Sequence, residues 1–198
     1  MPALRPVLCA LGVATGLLVG AVVATPPSAS ASGDKAHDDS VQAVHFAPGG
    51  EIEPAIANLL GSAQREVLVA MYLFTSRKLA DSLLAAKRRG VTVRLIVDEN
   101  QRFAKYSKVR DLEKGGVNVR AISLGKSDTG QELRFHHKFV VVDGLLVETG
   151  SFNWTQQADE QNWENAVIIR SKSLAAAFRE HFEKAWAVAG EDRPRPKN

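Results

Sequence analysis

The chain has 198 residues, 45% hydrophobic and 24% charged, with 15 Gly and 8 Pro; these are the proportions of one ordinary globular domain plus an appendage. They exclude collagen-like, low-complexity and disulfide-stapled chains, and the one cysteine, Cys9, permits neither an intramolecular disulfide nor a thiolate metal site. The net charge of +3 is only a weak sign of a polyanionic partner, and the length leaves little room for two catalytic domains.

Residues 1–31 carry one charge, Arg5, then the apolar run 7–24 and a Pro/Ser/Ala stretch ending in Ala29, Ser30 and Ala31. This is the layout of a secretory signal peptide, with cleavage predicted after Ala31 and with Ala24 as the alternative, which sends the body to the periplasm or outside the cell. A retained membrane anchor is the competing reading, because eighteen apolar residues nearly span a bilayer and Gly12, Gly16 and Gly20 form a small-residue ladder. Residues 32–40 read as a flexible leader, 41–190 as the folded domain and 191–198 as a disordered tail.

Within the domain, strand and helix patterns alternate. Residues 41–47 predict a strand, 51–63 a helix with Ile52, Ile56, Leu59 and Leu60 on one face, and 66–74 a buried strand. Leu79, Leu83 and Leu84 mark a helix over 77–89, stopped by Gly90 before a β-branched strand at 91–97. A helix near 107–114, a strand at 117–122 and a polar loop at 123–131 follow. Two strands, 135–142 and 145–149, flank Asp143-Gly144, a two-residue hairpin signal. A last strand at 165–170 and a helix at 174–189 close the domain. Two successive β-α units imply parallel pairing with right-handed crossovers. The predicted fold class is α/β: one domain with a mixed, mostly parallel sheet and helices on both faces.

Charge is unevenly placed: residues 77–120 hold twelve basic and five acidic side chains, a local +7. Arg102, Lys105, Lys108 and Arg110 are candidates for a phosphate-binding track, with Phe103 and Tyr106 available to stack on bases. For Lys87, Arg88 and Arg89 a solvated helix C-terminus, where the macrodipole favours cations, is an equal explanation.

The strongest signal is the spacing H-x-K-x4-D-x6-G-S-x-N, made by His136, Lys138, Asp143, Gly150, Ser151 and Asn153. His136 and Lys138 are two apart and share a strand face, to which Asn153 returns across the hairpin. An imidazole there is a nucleophile or proton carrier, and an ammonium and an amide donate to the non-bridging oxygens of a phosphodiester. Glu164 is placed to accept from the second ring nitrogen of His136 and orient it. Singly, a strand histidine packs, a lysine is solvated and Gly-Ser is a turn; jointly the spacing points to chemistry. His137 projects to the opposite face and reads as packing, and Trp154 and Trp163 either stack on a base or pack in the core.

These residues resemble the HKD motif of the phospholipase D superfamily, and most of all its short exported bacterial branch, the Nuc-type endonucleases. The resemblance extends over about residues 41–186, including Phe46 to Gly49, Met71 to Thr75, Ala85 to Val91, and Val147 to Asn153 with Asn165 to Ile168. It implies a phospholipase D-like domain, a phosphohistidine formed on His136, and phosphate binding by Lys138 and Asn153. It also implies support from Ser151 and Gly150, orientation by Glu164 and a structural role for Asp143 in its turn. The family's chemistry uses two histidines across one phosphate, and the chain has one motif and no internal repeat. The resemblance therefore implies a homodimer that shares one site, with no metal and no other cofactor, since paired lysines and asparagines supply the charge. Three readings of the substrate stand: a nonspecific endonuclease acting on DNA or RNA, a phospholipase D acting on phospholipid headgroups, and a catalytically silent nucleic-acid-binding module. Against the lipid reading, the body shows no amphipathic helix suited to a bilayer.

Overall fold

The computed structural model describes residues 39–190. The signal-peptide reading of 1–31, most of the leader and the tail at 191–198 lie outside them. Seven strands form one sheet: β1 (Ser40–Ala47), β2 (Glu66–Met71), β3 (Thr92–Asp98), β4 (Asn118–Ile122), β5 (Lys138–Val142), β6 (Leu146–Gly150) and β7 (Glu164–Arg170). Six helices connect or cover them: α1 (Ile52–Ser62), α2 (Arg77–Arg88), α3 (Glu99–Arg102), α4 (Val109–Lys114), α5 (Gln156–Glu160) and α6 (Lys172–Val188).

The sheet order is β1-β7-β6-β5-β2-β3-β4. β2, β3 and β4 pair in parallel, as consecutive β-α units require, while the other four neighbour pairs are antiparallel. Five strands run one way, but β5 and β7 are interleaved with them, so pairing is mostly antiparallel where the sequence pattern predicted mostly parallel. The first β-α unit does not pair its own strands: β1 crosses to the far edge and joins β7. Local periodicity reports a strand and its buried face, not its neighbour.

Both faces are covered. Ile52, Ile56, Leu59 and Leu60 of α1 and Leu79 and Leu83 of α2 are buried against Val67, Val69, Val140 and Val142. On the other face Ala175 and Phe182 of α6 meet Leu68, Ile96, Phe139 and Val141. This α6 face is also fastened by charge, through Arg94 with Glu183 and Arg179 with Glu66, and the Arg94 guanidinium lies 5.2 Å from the Phe182 ring centroid. Arg89 donates to the carbonyls of Leu60, Gly61 and Ala63, so it caps the C-terminus of α1 and is not a free surface cation.

The hairpin turn carries the motif's aspartate. Asp143 has φ 55° and Gly144 φ 65°, the backbone of a type I′ turn. The Asp143 carboxylate accepts from the backbone N–H groups of Gln64, Arg65 and Glu66 at 2.9, 2.8 and 2.9 Å, locking β5–β6 to the start of β2. Burial would raise this carboxyl, but those three donors and the Arg65 charge together hold it below the usual range. Asp143→Ala is expected to cost about 2–4 kcal/mol by leaving the donors without an acceptor, measured by urea denaturation. Because the folded-state carboxyl is the stronger acid, this stabilisation is present above the usual aspartate range and is lost as pH falls through the depressed value. An Asp143→Ala variant as stable as wild type at pH 7 would remove the turn-locking role.

Candidate functional site

The strands converge on a site at the end of the sheet where β2 ends and β5 begins. Met71 pairs with Lys138, and Tyr72 donates from its backbone N–H to the His137 carbonyl at 2.9 Å, so the ladder continues one residue past the named strands. His136 lies in extended chain just before β5, exposed, with its ring tilted on Tyr72 at 4.6 Å between centroids. Lys138 is the first residue of β5 and is 9% exposed, with the alternation of the strand directing it to the same side as His136. Its Nζ donates to the His136 carbonyl at 3.0 Å and lies 3.0 Å from Nδ1 of the same imidazole. The two-residue spacing thus brings imidazole and ammonium into contact.

Burial pulls the pKa of Lys138 down, opposed by the negative charge of Glu164. His136 is likewise lowered, first by desolvation and then by Lys138, with Asp98 opposing. The lowered value favours a neutral imidazole, with Nδ1 the ring nitrogen nearer Lys138 Nζ. A nucleophilic imidazole is neutral with its attacking nitrogen unprotonated, and one that gives a proton away is protonated on both nitrogens.

Glu164 departs from its predicted contact. Its two oxygens accept from Ser151 Oγ and from Asn162 Nδ2, the latter at 3.1 Å, so within one chain it orients Ser151 and acts on Lys138 by charge. Ser151 is held on its other side by the backbone N–H of Asn165, which donates to its Oγ at 3.1 Å. Gly150 is fixed by space: a Cβ there would lie 2.0 Å from the Asn165 carbonyl oxygen, so only glycine lets β6 run this close to β7 beneath Ser151. Asn153 is partly buried, and its Oδ1 is buried with no hydrogen-bond partner among the described residues. The structure therefore joins His136 with Lys138 and Ser151 with Glu164, and leaves the Asn153 amide oxygen unused.

Four neighbours were not singled out from the sequence. Tyr72 supports the His136 ring. Asp98, 2% exposed at the end of β3, accepts from the backbone N–H of Phe135 at 2.9 Å and of Asn100 at 3.0 Å, anchoring the segment that delivers His136. Thr149 donates to the Lys138 carbonyl at 3.2 Å. His181 of α6 meets His137, which does project to the α6 side as predicted, between the edges of Phe135 and Phe139. Only Tyr72 carried a local signal, at the end of a buried strand.

Two of the substrate-contact candidates are corrected. Arg102 is 5% exposed and ion-paired with Glu113, because α3 folds it inward. Trp154 is wholly buried, edge-on to Phe74 at 4.9 Å, since the segment after β6 bridges the one after β2. Neither faces a polyanion; Trp163, 91% exposed, is the tryptophan that does face solvent. Lys105 and Arg110 are exposed against Tyr106 and Phe103. Lys108 joins Arg77, Lys78, Arg88 and the exposed Tyr106 around an open cleft of 1010 Å³, which also holds Glu53, Asp81 and Glu160. A second cleft, of 510 Å³, opens at His136 and Lys138 toward α6. Among the described residues no group of three or more His, Cys, Asp and Glu side chains is arranged to hold a metal ion, and no helix is long and apolar enough to cross a membrane.

Residues 56–186 match the family described as cardiolipin synthase, PLD-like domain. Mitochondrial cardiolipin hydrolase of Xenopus laevis is 40% identical over 131 residues, 66% of this chain and 59% of that protein. A phospholipase D of Rickettsia felis is 28% identical over 137 residues, 69% of this chain and 65% of that protein. The chain thus spans little more than half the length of the cardiolipin hydrolases it matches. Nuc, a phospholipase D family member from Salmonella typhimurium, superposes with a TM-score of 0.69 at 32% identity, over 79% of this chain and 99% of that one. NucT from Helicobacter pylori shares the fold, with a TM-score of 0.73 at 21% identity over 78% of this chain and 99% of that one. With its one histidine–lysine–aspartate motif placed on a fold that matches Nuc almost end to end, the chain belongs to the phospholipase D superfamily.

Proposed function

We propose that the protein is a phosphodiesterase that hydrolyses nucleic acid through a phosphohistidine on His136, without a metal ion, at a site completed by a second copy of the chain. The observation that carries this reading is the contact of His136 with the buried Lys138 ammonium in a chain with one such pair. His136 of one protomer attacks phosphorus as the P–O bond to the leaving group breaks. The same histidine of the other protomer protonates the leaving oxygen, then takes a proton from the water that cleaves the P–N bond. Lys138 and the Asn153 amide from both chains hold the non-bridging oxygens, with Ser151 and Glu164 bracing the pocket. Two identical histidines start in different protonation states: the attacking one is neutral and the donor is the imidazolium, and the lowering of His136 beside Lys138 suits the nucleophile.

The nucleic-acid substrate is supported by the +7 segment at 77–120, from which Arg77, Lys78, Arg88 and Lys108 gather with Tyr106 in one cleft. Ser76 lines that cleft four residues beyond Tyr72, which touches His136. A phospholipid substrate is the second reading, favoured by the names of the cardiolipin hydrolases and by exposed Phe46 and Trp163, which line a depression with Glu164. Export rests on the character of residues 1–31.

The full chain incubated in chelator with supercoiled plasmid and, separately, with phosphatidylcholine or cardiolipin vesicles separates these readings. Nicked plasmid without headgroup release is expected; headgroup release alone would replace nucleic acid by lipid, and loss of every activity in chelator would remove the metal-free mechanism.

A further inference from the structure

His137 and His181 take no part in the proposed chemistry, yet they bring their Nε2 atoms within 2.9 Å of each other. One ring comes from the segment entering β5 and the other from α6, 44 residues away, so each is held by its own scaffold. Their planes stand at 77° with centroids 4.7 Å apart, and Phe135 and Phe139 hold the His137 ring by its edges. Both side chains line the 510 Å³ cleft that opens at His136.

Ring nitrogens facing each other at this distance share one proton, with donor and acceptor set by the tautomers. A separation of a few tenths of an ångström more suits two imidazoles on one tetrahedral cation, with bonds of about 2.0–2.1 Å. The surroundings select the cation. Among the described residues the cleft's lining includes no carboxylate, so Mg²⁺ and Ca²⁺ find no hard oxygen ligands, and the nearby charges are Lys138 and the titratable His136. On α6, Glu180 pairs with Lys184 at 2.6 Å, and Glu183 pairs with Arg94. Imidazole suits late first-row cations.

We infer that His137 and His181 form a two-imidazole chelate for a late first-row divalent cation, Zn²⁺ being the reference, which occludes the cleft beside His136 and inhibits the enzyme. Water fills the remaining coordination positions, and the Lys138 charge keeps the site an exchangeable one. Binding stands independently of the proposed activity; inhibition rests on it.

Calorimetric titration of the metal-free full chain with Zn²⁺ is expected to give one ion per chain. His181→Gln, at an exposed helix position, should weaken binding at least about tenfold, as the loss of one of two ligands implies, while His136→Asn should leave it in place. In the activity assay Zn²⁺ should inhibit wild type, reversibly by chelator, and His181→Gln should keep its basal rate and resist. His137→Gln, checked by its far-ultraviolet spectrum for folding, should lose binding to the same degree. Equal Zn²⁺ affinity in wild type and His181→Gln, or binding lost only in His136→Asn, would overturn the assignment. An inactive wild type that still binds Zn²⁺ through His137 and His181 would count against the proposed function and leave the chelate standing.

Discussion

His136→Asn is expected to lower phosphodiester turnover by at least about 10³-fold, because in the proposed reaction the residue serves as both nucleophile and proton carrier. The substitution is expected to leave the fold intact, since His136 is exposed and its ring contacts are confined to Tyr72 and the Lys138 ammonium. The sharper result comes from mixing. Each chain brings one histidine, so a dimer of one wild-type and one variant chain holds half of the pair and should be as inactive as the dimer of two variant chains. When equal amounts of the two proteins exchange freely, roughly a quarter of the dimers carry both histidines, and activity per total chain should settle near that fraction of wild type. Activity at one half after verified exchange would mean that each chain works alone, and a mixed dimer running at near wild-type rate would remove the shared site.

The elements that hold this histidine were largely legible in the sequence because their signals are local. The burial of Ile52, Ile56, Leu59 and Leu60 follows from helical spacing, and the hairpin follows from Asp143-Gly144, where both residues adopt positive φ. The contact of His136 with Lys138 follows from the period of two. What the sequence did not reveal depends on sheet order and on short elements. That β1 lies beside β7, at the opposite edge of the sheet from β4, is a nonlocal outcome with no periodic trace. α3 and α5 are too short to show a helical period, and α3 is what buries Arg102, which reads as a surface cation in a basic run. His137 and His181 look unrelated at 44 residues' distance, and Asp98 looks like an ordinary strand-end residue until its carboxylate is seen under Phe135. Trp154 belongs to the same class, since its burial needs the bridge from Phe74. The geometry of the motif was readable where neighbours in sequence are neighbours in space. The partners of Glu164 depend instead on how β6 and β7 meet at Gly150, and within the chain they are Ser151 and Asn162 in place of His136.

Glu148→Gln is expected to flatten the pH dependence of stability. Glu148 lies in the middle of β6, opposite Val140 and Ile168 in the register, on the face buried by α1 and α2. It is 2% exposed, its Oε2 has no hydrogen-bond partner among the described residues, and burial raises its pKa from 4.5 to about 8. At neutral pH the folded protein therefore keeps this carboxyl protonated, which avoids an uncompensated charge in the core. The unfolded chain releases the same proton near pH 4.5. Between pH 4.5 and 8 the folded state thus binds the extra proton, so the stability that Glu148 contributes is complete below that window and is lost as pH rises through it, by up to about 1.4 kcal/mol per unit. The lowered pKa values of His136 and His137 give a slope of opposite sign below their usual value, so the readout is the difference between wild type and variant, in which those terms cancel. The glutamine side chain keeps the volume and cannot ionise. Denaturant midpoints at about pH 5 and pH 8 should show wild type losing several kcal/mol relative to the variant across that interval, a large share of a domain's total stability. The unpartnered amide in the variant shifts the comparison by an amount independent of pH and does not alter the slope. Parallel stability curves for the two proteins would mean that Glu148 is ionised in the folded state, with a partner or water that compensates it.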